Sequence, residues 1–179
     1  MSGWHHPLAA RRFQPWKNGG GRTAEIAVMP PGAGLDDFDW RISTAVVAQS
    51  GPFSVFPGVD RVLAVIEGGA MTLTVAGQSR HLDAASDPFA FPGDAPAQAV
   101  LTGPALLDFN VMLRRPLRAQ VRRGPLAVTA KPDACAHLAL LLADAGGLRR
   151  LDLVDLFAAP PAVRAGLAGA AALDVTIWR

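Results

Sequence analysis

Cysteine and lysine are scarce in this sequence. A single cysteine, Cys135, cannot close an internal disulfide, which excludes the stapled framework of a small secreted domain. Lys17 and Lys131 are the only lysines among 17 basic residues, and the formal net charge is +2. The high pI of about 9.3 therefore reflects arginine rather than a polycationic surface, and general nucleic-acid affinity is not implied. Long apolar runs are missing too: residues 136–143 and 167–173 are apolar but too short to span a bilayer, so no membrane partner is expected. The sequence does not open on a basic start, an apolar stretch and a cleavage site, and the expected compartment is the cytoplasm.

Signatures of catalysis are equally thin. The four histidines, His5, His6, His81 and His137, lack the spacing that would turn two of them and a carboxylate to one side of a strand, so neither a metal nor another cofactor is expected. His81 reads as a solvated strand-end residue, and His5-His6 as part of a loose start. In Cys135-Ala136-His137 the thiol and imidazole would share a strand face, but the apolar surroundings favour a buried, inert thiol. No Gly-x-Ser-x-Gly is present, which argues against a serine hydrolase.

Half of the residues are apolar, with 18 glycines and 15 prolines, the profile of one compact, turn-rich protein. From Arg22 onward short apolar runs are cut by Gly, Pro and Asp, which is the rhythm of antiparallel strands. The pattern predicts strands at 23–28, 41–48, 61–67, 71–75, 89–92, 97–101, 107–113, 118–122, 126–129, 136–142, 149–153 and 173–178. Residues 61–75 read as a hairpin turning at Gly68-Gly69. A fainter echo matches Asp87-x-Phe89-Ala90-x-Pro92 with Asp155-x-Phe157-Ala158-x-Pro160 and points to two similar β units. The competing reading is that Asp, Ala and Pro simply recur as turn and filler residues.

Three polar constellations stand out. Residues 15–25, PWKNGGGRTAE, lack the Gly-x4-Gly-Lys-Ser/Thr spacing and the preceding strand of a phosphate loop. They form either a glycine loop whose backbone N–H groups, beside Lys17, Asn18 and Arg22, suit a carboxylate or planar ligand, or a tight turn into the strand at Thr23. Arg41 and Arg61 each begin an apolar run, where a guanidinium needs an anion. Asp60, adjacent to Arg61, points to the opposite strand face, so that anion comes from elsewhere in the fold or from a ligand, which an arginine fork can hold in bidentate fashion. Asn110 adds a mid-strand donor and acceptor, with Phe109 or Met112 to cover a flat ring. Finally, Arg114, Arg115, Arg118, Arg122 and Arg123 form an acid-free strip that fits a solvated or acid-paired strand, or a nucleic-acid contact.

Taken in order, PWKNGGGRTAEI, DWRISTAVV, GPFSVFPGVDRVLAVIEG, FPGDAP and LLDFNVMLRR resemble the HutD/Ves family, in five blocks between residues 13 and 115. That resemblance implies a metal-free, all-β bicupin: two small antiparallel β-barrel or jelly-roll units, with an N-terminal unit at 13–115 and a C-terminal unit at 116–179. It implies a sensor, or governor, of histidine utilisation that binds a carboxylate metabolite such as urocanate or formylglutamate. Trp16, Lys17, Asn18, Thr23, Glu25, Arg41, Ser43, Arg61 and Asn110 are the positions it implies for the ligand site, none with a catalytic role. One alternative is a metal-independent isomerase or hydrolase acting on an imidazole- or amide-containing acid, with Glu25 as general base. The other is a regulator that meets nucleic acid or a repressor through the Arg114–Arg123 strip. Exposed strand edges leave a symmetric homodimer open.

Overall fold

The computed structural model describes residues 3–179, and its regular secondary structure consists almost entirely of antiparallel strands. In chain order these are β1 (His5–His6), β2 (Gln14–Pro15), β3 (Gly21–Met29), β4 (Trp40–Val47), β5 (Gly51–Pro52), β6 (Val59–Val75), β7 (Gln78–Leu82), β8 (Phe89–Pro92), β9 (Ala97–Arg114), β10 (Arg118–Pro125), β11 (Ala134–Leu141), β12 (Leu153–Asp155) and β13 (Ala171–Trp178). A 3-10 turn at Leu8–Ala10 and one short helix, α1 (Pro161–Leu167), interrupt them. The architecture is all-β, as the turn-rich alternating pattern leads one to expect. The chain divides into two compact units, one of Arg12–Arg115 and the other of the N-terminal segment through Arg11 together with Pro116–Arg179.

In the Arg12–Arg115 unit the sheet order is β2-β3-β4-β9-β6-β7, with β5 beside β9 and β8 beside β6. One sheet face buries Val47, Leu63, Val65, Met71, Leu73, Leu82, Phe91, Ala99 and Leu106. The opposite face of β4, β6 and β9 is buried as well, through Ile42, Ala64, Phe109 and Val111, which explains why these strands read as continuous apolar runs.

The expected hairpin at Gly68-Gly69 is absent. The chain runs straight through these glycines as one strand, β6, paired with the equally long β9, and turns only at Ala76-Gly77 into β7. The register shifts between Val65 and Glu67 and between Gly68 and Ala70, so the two glycines mark an irregularity inside a ladder. A Cβ on Gly68 would lie 2.3 Å from the Ala105 carbonyl oxygen, and one on Gly69 would lie 2.2 Å from that of Pro104. Close approach of two backbones, not reversal of direction, is what these positions require.

The second unit orders its strands β1-β12-β11-β13-β10. Its core gathers Ala139, Leu141, Val154, Leu156, Ala159, Leu167 and Ala172. The supposedly loose start is tied down: β1 pairs with β12, His5 Nε2 lies 2.8 Å from Asp152 Oδ2, and the Leu8 amide donates to Asp152 Oδ1 at 2.8 Å. Residues 126–129 are irregular rather than extended, and so are most of 149–153, where the Arg149 amide is committed to a turn closed by Asp152 Oδ2. The sequence echo places unlike structures in register: Phe89–Pro92 is strand β8, whereas Phe157 and Ala158 form a turn whose amides are capped by Asp155 Oδ1.

Cys135 is also unlike its expectation. It lies at a bulge in the β11–β13 ladder and is exposed, while His137 is buried and bonded to Asp174 at 2.8 Å. The bulge at Ala134/Ala136 breaks the strict alternation that would have put thiol and imidazole on one face.

Candidate functional site: a polar face on β3, β4, β9 and β6

The ladders of the Arg12–Arg115 unit place the polar residues of distant sequence blocks side by side. Directly paired residues of antiparallel strands share a face, so the register defines three rows. Arg41, Met112 and Arg61 form the first, Glu25, Ser43, Asn110 and Leu63 the second, and Thr23, Ala45, Asp108 and Val65 the third. Leu63 and Val65 belong to the apolar core, and so the polar members of these rows point to the core side of the sheet.

Arg61 is the deepest cation, at 6% exposure. Its guanidinium carbon lies 5.2 Å from the Phe53 ring centre, 5.7 Å from Phe56 and 5.1 Å from Phe91, within range of cation–π attraction on three sides. Nη1 reaches the Ser54 carbonyl oxygen only at 3.5 Å, and Nε has no hydrogen-bond partner among the described residues. Burial pulls its pKa down to about 10, partly offset by the charge of Asp108 and reinforced by that of Arg41, so the group remains a cation at neutral pH. Gly93 makes room for it: a Cβ there would stand 3.2 Å from Arg61 Cγ and 3.3 Å from Cδ. Thus the FPGDAP block supplies Phe91 and Gly93 to the same arginine.

Asp108 is fully buried on the third row. Burial raises its pKa to about 7, against the opposing pull of Arg61 and of a hydrogen bond from the Ala45 amide. Among the described residues its Oδ1 has no hydrogen-bond partner, nor does Oδ1 of Asn110 one row away. Buried polar atoms are ordinarily hydrogen-bonded, because leaving one without a partner costs about 1–3 kcal/mol. Three such atoms on one face, Arg61 Nε, Asp108 Oδ1 and Asn110 Oδ1, comprise one donor and two acceptors left unmet among the described residues.

Arg41 differs from Arg61. Its Nε donates to Glu25 Oε2 at 2.8 Å and its Nη1 to the Ser43 hydroxyl at 3.4 Å, so a protein carboxylate already answers its charge. Glu25, the candidate general base, has one oxygen engaged by that pair, on a half-exposed side chain.

The triple-glycine stretch is a turn joining β2 to β3. The Gly19 amide donates to the Trp16 carbonyl, the Trp16 amide donates to the Gly21 carbonyl, and Asn18 Oδ1 accepts from the Gly20 amide at 3.0 Å. Gly19 adopts a φ of +71°, and a Cβ on Gly21 would lie 2.4 Å from the Val46 carbonyl oxygen. Lys17 and Asn18 are exposed at its tip. The Trp16 indole donates to Thr23 Oγ1 at 2.7 Å, which holds the ring against the core cluster.

Sequence reasoning thus named Arg41, Ser43, Arg61, Asn110, Glu25 and Thr23, which the ladders bring onto one face, while Lys17 and Asn18 lie at the turn. Phe109 does not cover Asn110, since it pairs with Thr44 and Ala64 on the other face. Phe53, Phe56 and Phe91 are the aromatic surfaces instead. Asp108 was missed, although the two-residue spacing Asp108-x-Asn110-x-Met112 carries the signal. The arginine strip is divided: Arg114 donates to the Phe38 and Asp36 carbonyls, Arg115 is shared between Asp60 and Asp94, and Arg118, Arg122 and Arg123 lie on β10.

Every block that forms this face falls within one recognisable pattern: the HutD family model matches residues 9–154. The chain belongs to the HutD family. Among curated relatives of this HutD-family protein, protein Ves of Cronobacter sakazakii is 48% identical over 109 residues, or 60% of this chain and 59% of that protein. An uncharacterised 21.2 kDa protein in the hutC 3′ region of Pseudomonas putida is 40% identical over 129 residues, covering 72% and 67%. The match to Ves therefore spans less than two thirds of that relative's length. Of solved structures, a conserved protein of unknown function from Pseudomonas aeruginosa PAO1 superposes with a TM-score of 0.76 at 32% identity, over 97% of this chain and 96% of that one. HutD from Pseudomonas fluorescens SBW25, in a formate condition, gives 0.70 at 33% identity, over 97% and 92%. Among the described residues no helix is long and apolar enough to cross a membrane.

Proposed function

We propose that this HutD-family protein binds a small carboxylate metabolite on the Arg61 face and acts as a sensor, or governor, of histidine utilisation. The observation that carries the reading is Arg61: a buried guanidinium, ringed by three phenyl groups, whose Nε lacks a hydrogen-bond partner. An arginine desolvated in this way binds a carboxylate strongly, because neither water nor a closely paired protein acid competes for its donors. The phenyl surfaces suit a flat, conjugated body behind that carboxylate. Urocanate has this form, and formylglutamate offers the same acid group with an amide. The link to histidine degradation rests on family membership and on the P. putida relative in the hutC 3′ region. A cytoplasmic location follows from that role and is part of the proposal.

Titration calorimetry of the purified protein with urocanate, formylglutamate and histidine tests it. Saturable heat with one of the two carboxylate metabolites is expected, and Arg61→Ala should weaken that binding by about 1.5–3 kcal/mol, the range for a charge-assisted hydrogen bond. Absence of binding by all three, or an affinity unchanged in Arg61→Ala, overturns the reading.

A further inference from the structure

Resting on that ligand site, we infer that Asp108 is its second recognition point, accepting a hydrogen bond from an N–H or O–H group at the end of the ligand remote from its carboxylate. The site then selects compact acids that also carry a donor, and discriminates against acids of the same shape that lack one.

The three rows supply the geometry. Met112, level with Arg61, and Asp108 are four residues apart on β9, about 13 Å along an antiparallel strand, with Asn110 midway between them. At the first level the orphaned atom is a donor, Arg61 Nε; at the middle and far levels the orphaned atoms are acceptors, Asn110 Oδ1 and Asp108 Oδ1. The protein's unmet hydrogen bonds therefore have a direction. A molecule that meets all three must present an acceptor at the Arg61 end and donors towards the Asp108 end. A simple monocarboxylate meets only the first.

The other charges in the rows do not answer Asp108. Arg41 is held by Glu25 and Ser43, and Arg61 reaches Asp108 only through its field. The Ala45 amide is the protein donor to this carboxyl, and it leaves Oδ1 without a partner. A buried acid in a site built to be hydrogen-bonded rejects a ligand lacking the donor far more strongly than an apolar pocket rejects an altered shape, because the acid is then left buried and unmet.

The test compares urocanate with trans-cinnamate, which keeps the conjugated carboxylate and planar ring but has no N–H, on the wild type, Asp108→Leu, Asp108→Asn and Arg61→Ala. The wild type is expected to bind urocanate at least tenfold more tightly. In Asp108→Leu the preference should collapse to within about threefold with cinnamate affinity retained, whereas Asp108→Asn, whose amide oxygen still accepts a hydrogen bond, should keep part of it. Arg61→Ala should weaken both acids by a similar factor and leave their ratio intact. Equal binding of the two acids by the wild type, or a preference that survives in a folded Asp108→Leu, overturns the role of Asp108 while leaving the carboxylate site standing. Failure of urocanate, cinnamate and formylglutamate alike to bind the wild type overturns the site and the inference together.

Discussion

Arg61 and Asp108 project from neighbouring strands onto the same side of one sheet, each buried and each within the electrostatic field of the other, yet Arg61 Nε and Asp108 Oδ1 both lack a hydrogen-bond partner among the described residues. A pair kept apart in a low-dielectric interior is an unfavourable arrangement for folding alone. Such local costs concentrate where a ligand is to be met.

Asp108 should make the protein less stable as pH rises. Its carboxyl has a folded pKa of about 7 against an ordinary 3.8, with Arg61 on β6 and the Arg41–Glu25 pair on β4 and β3 as the charged groups facing its rows. Below 3.8 the acid is protonated in both states and imposes no penalty. Between 3.8 and about 7 the unfolded chain ionises while the fold retains the proton, so stability falls through this window and levels off above it. The drop is on the order of a few kcal/mol. Urea unfolding from pH 4 to pH 8 should show that slope in the wild type and a flatter one in Asp108→Asn, which should be the more stable protein at pH 8. Parallel curves would contradict the assignment.

Asn18 should matter to stability and not to affinity. Its Oδ1 accepts from the Gly20 amide within an exposed turn, so Asn18→Ala loses about 1 kcal/mol, measured by chemical denaturation. Urocanate affinity is expected to stay within twofold of wild type. A large loss of binding in a protein of normal stability would return the glycine turn to the ligand site.

Glycine substitutions should sort by backbone approach. Gly69→Ala sets a methyl 2.2 Å from the Pro104 carbonyl oxygen and should cost well over 2 kcal/mol, since two paired backbones must part. Gly19→Ala, at a φ of +71° in open space, should cost about 1 kcal/mol. Gly51→Ala meets nothing within 4 Å and has no unusual φ, and should be neutral within about 0.5 kcal/mol. Thermal melting of the three variants provides the comparison.

Asp152 anchors the N-terminal segment to the second unit, accepting from the Leu8 and Arg149 amides and meeting His5 Nε2. Burial alone would raise its pKa, but those partners hold it below the ordinary value. Asp152→Ala should therefore destabilise by about 3 kcal/mol at neutral pH. The wild type's share of that stabilisation is present above the ordinary carboxylate range and is lost as the pH falls through the lowered value. Hydrogen exchange at Leu8 should rise in the variant, and unchanged protection there would count against the anchor.

The strand pattern was legible where period and burial agreed: the runs expected at 41–48 and 107–113 are largely apolar and fall on β4, which ends at Val47, and within β9, where Asp108 and Asn110 alternate with apolar residues. It failed where one residue type serves two geometries. Gly68-Gly69 has the composition of a hairpin turn, and only the partner strand, some 35 residues later in sequence, makes it a bulge. Helix α1 was invisible because its seven residues, PAVRAGL, have no side-chain cap and too few turns to establish a period. The candidate face was legible residue by residue but not as a face, since alternation fixes which side chains of one strand agree and not which strands become neighbours. Asp108 was passed over for the same reason. Its significance lies in what is across the ladder, not in what adjoins it along the chain.

The crease at Gly68-Gly69 fastens two long strands so that neither half of the ribbon can slip by a residue without the other. A deletion in β6 would throw Arg61 onto the wrong side unless β9 lost a residue at the matching place. Among related chains, length should therefore drift in the connecting loops and hold constant along this ribbon, which makes it the ruler against which the rest of the molecule is measured.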